Sequence, residues 1–183
     1  ALFTDEAIDK WRVTDGKVPE LIRVVVGVDP SGADETENEG NDAIGIIVGG
    51  LGTDGIVYIL EDNTVLAGPA TWGKVATNSF ERHEADMVVG EENFGGAMVK
   101  HVIRADPISA LYENGKVRHV GYFNELEEEL TSFSSRGYLG DRSPNRADAA
   151  IWVVSHLFPG VIKRAEQPVV NAPPVPIVSK FAR

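Results

Sequence analysis

The chain has 183 residues, 43% hydrophobic and 25% charged, enough for one domain with a real core. Its 17 basic and 28 acidic residues leave a net charge of −11, which argues against a simple basic nucleic-acid-binding surface. A nuclease stays open, because clustered carboxylates are what a divalent-metal site requires and the metal reverses the local charge. Cysteine is absent, so disulfides and thiolate metal sites are excluded. No apolar run approaches the roughly 20 residues of a membrane helix. The opening ALFTDEAIDKW is polar and acidic, unlike a signal peptide, and the start at Ala1 points to a piece of a longer or processed chain.

The expected elements run as follows. Residues 1–22 read as a lead-in, with a short helix around Thr4–Arg12 and a turn at Asp15-Gly16 and Pro19. The continuous apolar run IRVVVGVD (22–29) predicts a strand buried on both faces. SGADETENEGND (31–42) is a polar, acidic loop. AIGIIVGGL (43–51) and GIVYILEDN (55–63) flank Gly52-Thr53-Asp54 and read as a hairpin, so three successive strands form a meander. A helix over WGKVATNSFERH follows, with Thr71 as its N-cap. DMVVGEEN (86–93) is a short buried strand ending in acids, and GGAMVKHVIR (95–104) a helix. A second helix around Pro107–Glu113 stops at Asn114-Gly115, and KVRHVGYF (116–123) is strand-like. ELEEELTSF (125–133) is a helix with four glutamates. SPNRADAAIWVVSHLF (143–158) is the strongest helix, with Ser143 as N-cap and Pro144 at its first position. Beyond it, residues 159–183 are Pro- and Val-rich and read as an extended tail. The four histidines lack ligand spacing and are expected at the surface or in interfaces.

Three acids share one feature. Asp29 ends the first buried strand, Glu91 ends the DMVVGE strand beside Glu92, and Asp148 lies one turn into the last helix among Ala147, Ala149 and Ala150. Small neighbours let a helix approach a sheet closely. Charged residues are rarely buried without a partner, and a divalent cation can absorb three at once. Hard oxygen ligands without Cys point to Mg²⁺ or Mn²⁺. Each acid has a plain structural reading: a turn Asp before Pro-Ser-Gly, a solvated strand end, a first-turn acid favoured by the helix dipole. In the order strand-acid, strand-acid, helix-acid they match the ribonuclease H-like nucleases. Asp42 precedes AIGIIV and is a candidate accessory ligand, or a strand-entry acid. Arg136, Arg142 and Arg146 lie around the last acid and are candidate phosphate contacts, with plain surface placement the alternative.

The blocks VVVGVDPSG, NDAIGIIVGG, ADMVVGEENFGGAMV, ALYENGKVRHVG and SPNRADAAIWV carry a closer resemblance. Through most of residues 1–158 the chain resembles the C-terminal nuclease domain of the tailed-bacteriophage large terminase subunit. E-x-N-x-G-G-x-M-V and S-P-x-R-x-D-A are the most specific parts. The resemblance implies an α/β domain with a ribonuclease H-like mixed sheet flanked by helices, and a nuclease domain over 23–158 after a lead-in from an absent ATPase domain. It places the three metal-binding acids at Asp29, Glu91 and Asp148, with Glu91 preferred over Glu92 by the single residue before Asn93. It implies two-metal hydrolysis by two Mg²⁺ or Mn²⁺ ions, and cleavage of double-stranded concatemeric viral DNA during genome packaging. The implied partners are double-stranded DNA, the packaging ATPase domain of the same chain, the portal and the small terminase subunit. No membrane is involved, and the implied location is the host cytoplasm at the procapsid portal. The rivals are another ribonuclease H-like enzyme, such as a junction resolvase or RNA–DNA hybrid nuclease, and a non-catalytic docking domain of the packaging motor. Two departures stand out. No G-x-x-x-x-G-K-[ST] loop occurs. Where the family has a further strand and basic loop, HVIRADPISA joins two helical stretches directly: either this member is shortened and its sheet lacks an edge, or a stretch between Arg104 and Asp106 is omitted and the two sides are not covalent neighbours in the full protein.

Overall fold

A computed structural model describes residues 1–30, 43–66, 69–90, 105 and 107–158. The apolar run forms β1 (Leu21–Asp29), buried from Val24 onward. It pairs antiparallel with β2 (Gly45–Gly52), which pairs antiparallel with β3 (Val57–Asp62). The turn between β2 and β3 is set by Asp54, whose carboxylate accepts the Ile56 amide (3.1 Å) and the Tyr58 hydroxyl (2.6 Å). β4 (Met87–Gly90) lies parallel to β1, and β5 (Val117–His119) parallel to β3. The sheet order is β4-β1-β2-β3-β5. KVRHVGYF, expected to be strand-like, supplies the strand at the β3 edge of this sheet. Arg104 and Asp106, on either side of the junction, and the expected helix 95–104 lie outside the described residues, as do the acidic loop 31–42 and the tail 159–183.

Side chains alternate across a strand, so β1 divides its residues between two cores. Val24, Val26 and Val28 join Ile44, Ile46 and Val48 under Trp72, Val75, Ala76 and Phe80 of α2 (Pro69–Arg82). Val25, Ile47, Val57 and Ile59 face the larger core, built with α5 (Asn145–Leu157), α4 (Asn124–Thr131) and α3, a helix over 107–113. A two-stranded hairpin, β6 (Phe133–Ser134) and β7 (Gly137–Tyr138), precedes α5. Helix α2 begins at Pro69, ahead of the expected cap Thr71, which falls inside it. Strand β4, expected to be buried, alternates half-buried and exposed residues because it is the outermost strand of the described sheet.

The lead-in is packed into the fold. Helix α1 (Asp5–Trp11) is capped by Thr4 Oγ1, which accepts the Ala7 amide, and it carries Ile8 into the large core beside Phe3. Arg12, just after it, bonds Glu127 of α4. His119 corrects the expectation of a surface histidine: it is fully buried, with Nδ1 2.8 Å from Glu127 and Nε2 2.9 Å from the Tyr112 hydroxyl. A carboxylate can only accept, so Nδ1 carries the proton and Nε2 accepts from tyrosine. Burial pushes His119 below its usual range, consistent with this neutral form.

Burial alone would raise the Glu127 carboxyl, but the hydrogen bonds from His119 and Arg12 overcome it and hold it down at about 2. A depressed carboxyl stabilises the fold above its unfolded value of 4.5, and that stability is lost as pH falls toward 2. Solvent reaches part of this pair, so the contribution is on the order of 1–2 kcal/mol. Glu127→Gln should lower the melting temperature at pH 7 and shrink its decline between pH 5 and pH 3. An acid decline as steep as the wild-type one would show that other groups carry it.

Candidate metal centre

Asp29 stands on the α5 side of the sheet, because Val25, Gly27 and Asp29 share one face and Val25 packs in the α5 core. Two glycines let α5 lie directly on the strands. A Cβ on Gly27 would sit 2.5 Å from the Ala149 carbonyl oxygen, and one on Gly45 would collide with the Asn145 carbonyl. Gly45 is the register partner of Asp29 across the β1–β2 ladder. Asn145 opens α5, and Asp148 follows three residues later, in its first turn. The register therefore puts the strand-end acid and the first turn of α5, which carries Asp148, at the same end of the β1–α5 contact. Each is 3% exposed.

Glu91, Glu92 and Asp42 lie outside the described residues. The register does carry β4 to this end: Gly90, the residue before Glu91, pairs with Val28, the residue before Asp29. Among the described residues no group of three or more His, Asp or Glu is arranged to hold a metal. The buried carboxylates of Asp29 and Asp148 are hard-oxygen donors of the kind Mg²⁺ and Mn²⁺ take, so their chemistry fits such an ion.

The first turn of α5 is held by side chains from other elements. Pro144 stands at the N-cap with no side-chain hydrogen bond, which corrects the expectation of Ser143 as cap and Pro144 as first helical residue. The Asn145 side-chain amide donates to the Ala43 carbonyl, tying the helix start to the entry of β2. Glu129 Oε2 of α4 accepts the Ala147 amide at 3.0 Å. Burial, the largest influence, pushes the Glu129 carboxyl up to about 7 against that amide and Arg146.

Of the three candidate phosphate contacts, Arg136 and Arg142 are exposed. Arg136 occupies the turn of the β6–β7 hairpin, where its amide donates to Ser134 Oγ (3.2 Å). The hairpin borders the acids: after burial, the charges of Glu129, Glu128, Asp148 and Asp141 all raise the Tyr138 phenol. Arg146 is occupied internally. It lies 2.8 Å from Glu125 and 3.2 Å from Glu129, and its Nε is 3.3 Å from Asp62 Oδ2 without hydrogen-bond alignment. Asp62, Glu129 and Asn145 escaped sequence reasoning. Asn145 falls on a variable position of the S-P-x-R-x-D-A block, which gives it no signal of its own. Glu129 looks like any acid on a charged helix.

These elements define the class. A mixed five-stranded sheet with helices on both faces, an acid ending its first strand and an acid in the first turn of the helix packed across it, is a ribonuclease H-like fold. The chain resembles the large terminase nuclease from thermophilic phage G20c, at 14% identity and a TM-score of 0.50, over 84% of this chain and 97% of that one. The large terminase nuclease domain of bacteriophage SPP1, solved with bound Mn, is 12% identical with a TM-score of 0.49, over 79% of this chain and 92% of that one. T. thermophilus RuvC in complex with a Holliday junction substrate is 15% identical with a TM-score of 0.40, over 75% of this chain and 94% of that one. No protein-family model and no curated protein matches the sequence. No described helix is long and apolar enough to cross a membrane.

Proposed function

We propose that this chain is a divalent-metal-dependent endonuclease that cuts double-stranded DNA, acting on concatemeric viral genomes during packaging. The observation that carries the reading is the burial of Asp29 at the end of β1 and of Asp148 in the first turn of α5, whose start packs on Gly45, the register partner of Asp29. The fold it shares with the phage large terminase nucleases supports the viral assignment. Asp29, Asp148 and Glu91 would hold two Mg²⁺ or Mn²⁺ ions, with Asp42 as an accessory ligand. When bound, such ions supply Lewis acidity that activates the attacking water and stabilises the leaving 3′ oxygen. The chain's own part is placement. Strand β1 fixes the Asp29 carboxylate, α5 fixes that of Asp148, and Arg136 and Arg142 offer exposed cations to phosphates. Water attack forms the new P–O bond and breaks the bond to the 3′ oxygen, which leaves as a hydroxyl. The packaging ATPase domain, the portal and the small terminase subunit are the partners of this reading, in the host cytoplasm at the procapsid portal.

Supercoiled plasmid with millimolar Mn²⁺ at low salt should be nicked and then linearised, and EDTA should stop it. A net charge of −11 leaves little non-specific DNA affinity, so cleavage should need high protein concentration and fade steeply with added salt. Cleavage confined to four-way junctions would favour a resolvase instead, and no cleavage under any metal would favour a docking domain.

A further inference from the structure

We infer that Glu129 is a positioning residue for the metal centre: from α4 it caps the first turn of α5 and thereby fixes where Asp148 stands. The inference rests on the reading of Asp148 as a metal ligand. The first amides of a helix have no partner within it, and a buried amide left unpaired is costly. Most helices meet this need with the residue before them, but Pro144 offers no side-chain acceptor. Glu129 supplies it across the tertiary contact. Its Oε2 accepts the Ala147 amide at 3.0 Å, one residue before Asp148, and Ala147 is fully buried.

Glu129 can reach because of helical spacing. Leu126 and Leu130 of α4 are fully buried in the large core, and position 129 lies on the same side of the helix, turned toward α5. Its other oxygen is 3.2 Å from Arg146 Nη1, and Arg146 Nε in turn approaches Asp62 at the end of β3. The first turn of α5 is thus referenced to α4 and to the sheet at once. Groups that orient metal ligands typically change metal affinity by about 10–100-fold when removed.

The test is Mn²⁺ binding to the whole chain by calorimetry, well below the melting temperature of the weakest variant, alongside plasmid nicking. Glu129→Ala should weaken Mn²⁺ affinity by roughly 10-fold. It should raise the Mn²⁺ needed for half-maximal nicking while leaving the KM for DNA unchanged. Glu129→Gln keeps an oxygen that accepts the Ala147 amide and should stay close to wild type. Glu129→Asp keeps the charge but withdraws the reach, and should weaken Mn²⁺ binding as alanine does. Unchanged affinity in the Ala and Asp variants, or loss in Gln with retention in Asp, would overturn the cap. Asp148→Asn separates the two ideas. If it too keeps wild-type Mn²⁺ affinity, the metal reading itself fails. If it loses affinity while Glu129→Ala does not, only the role of Glu129 falls.

Discussion

Asp29→Asn should abolish metal-dependent cleavage while leaving the protein folded. Outer partners of metal ligands cost about 10–100-fold when lost, so removing a ligand itself should cost at least about 100-fold in rate. The stability effect should run the other way. Asp29 and Asp148 are both buried, and on the proposed reading they share one metal site, where like charges without a cation repel. Removing one charge relieves that repulsion, and amide for carboxylate changes little in shape. The melting temperature in EDTA should therefore hold or rise, and the stabilisation that Mn²⁺ gives the wild type should disappear. A clear drop in EDTA would mean that Asp29 serves the turn at Pro30 and not a metal.

Gly45→Ala should damage both the fold and the site. The added Cβ would run into the carbonyl carbon and oxygen of Asn145, which are backbone atoms in the first turn of α5. No rotamer change can relieve that contact, so the helix start must move. Overpacking a core costs about 1–3 kcal/mol, and a clash with backbone belongs at the upper end or beyond. Since Asp148 rides on the same turn, the movement should also misplace a ligand. A displacement of about 1 Å at a reacting centre can cost on the order of 10²-fold. Gly73→Ala in α2 is the matched control, because nothing lies within 4 Å of its added Cβ. It should stabilise by about 0.5–1 kcal/mol through the better helix propensity of alanine. Urea melts and nicking assays on both variants give the comparison. Equal stability of the two variants would show that α5 does not rest on Gly45 as tightly as its backbone contact implies.

Much of the fold was legible along the chain, for local reasons. The run before Asp29 is rich in β-branched residues, and Gly52-Thr53-Asp54 marks a tight turn, so β1, β2 and β3 fall close to their expected spans. Ala147, Ala149 and Ala150 announced a helix that presses on its neighbour, and all three are buried. Asp29 and Asp148 stood out because an acid ending an apolar strand, or seated among alanines, breaks the local pattern.

What the sequence by itself determined is the identity of the elements and the position of two buried acids, one ending β1 and one in the first turn of α5, because strand and helix signals reside in neighbouring residues. The tertiary structure alone decided how those elements join. Strand β5 lies beside β3 rather than beyond β4, a choice made by parallel pairing between segments far apart in sequence. The four glutamates of α4 look alike in the sequence, yet Glu127 holds His119 and Arg12, Glu129 caps α5, Glu125 pairs with Arg146, and Glu128 faces solvent. Helical periodicity says which of them share a face. Only the packing of α4 against β5, α1 and α5 says what that face meets.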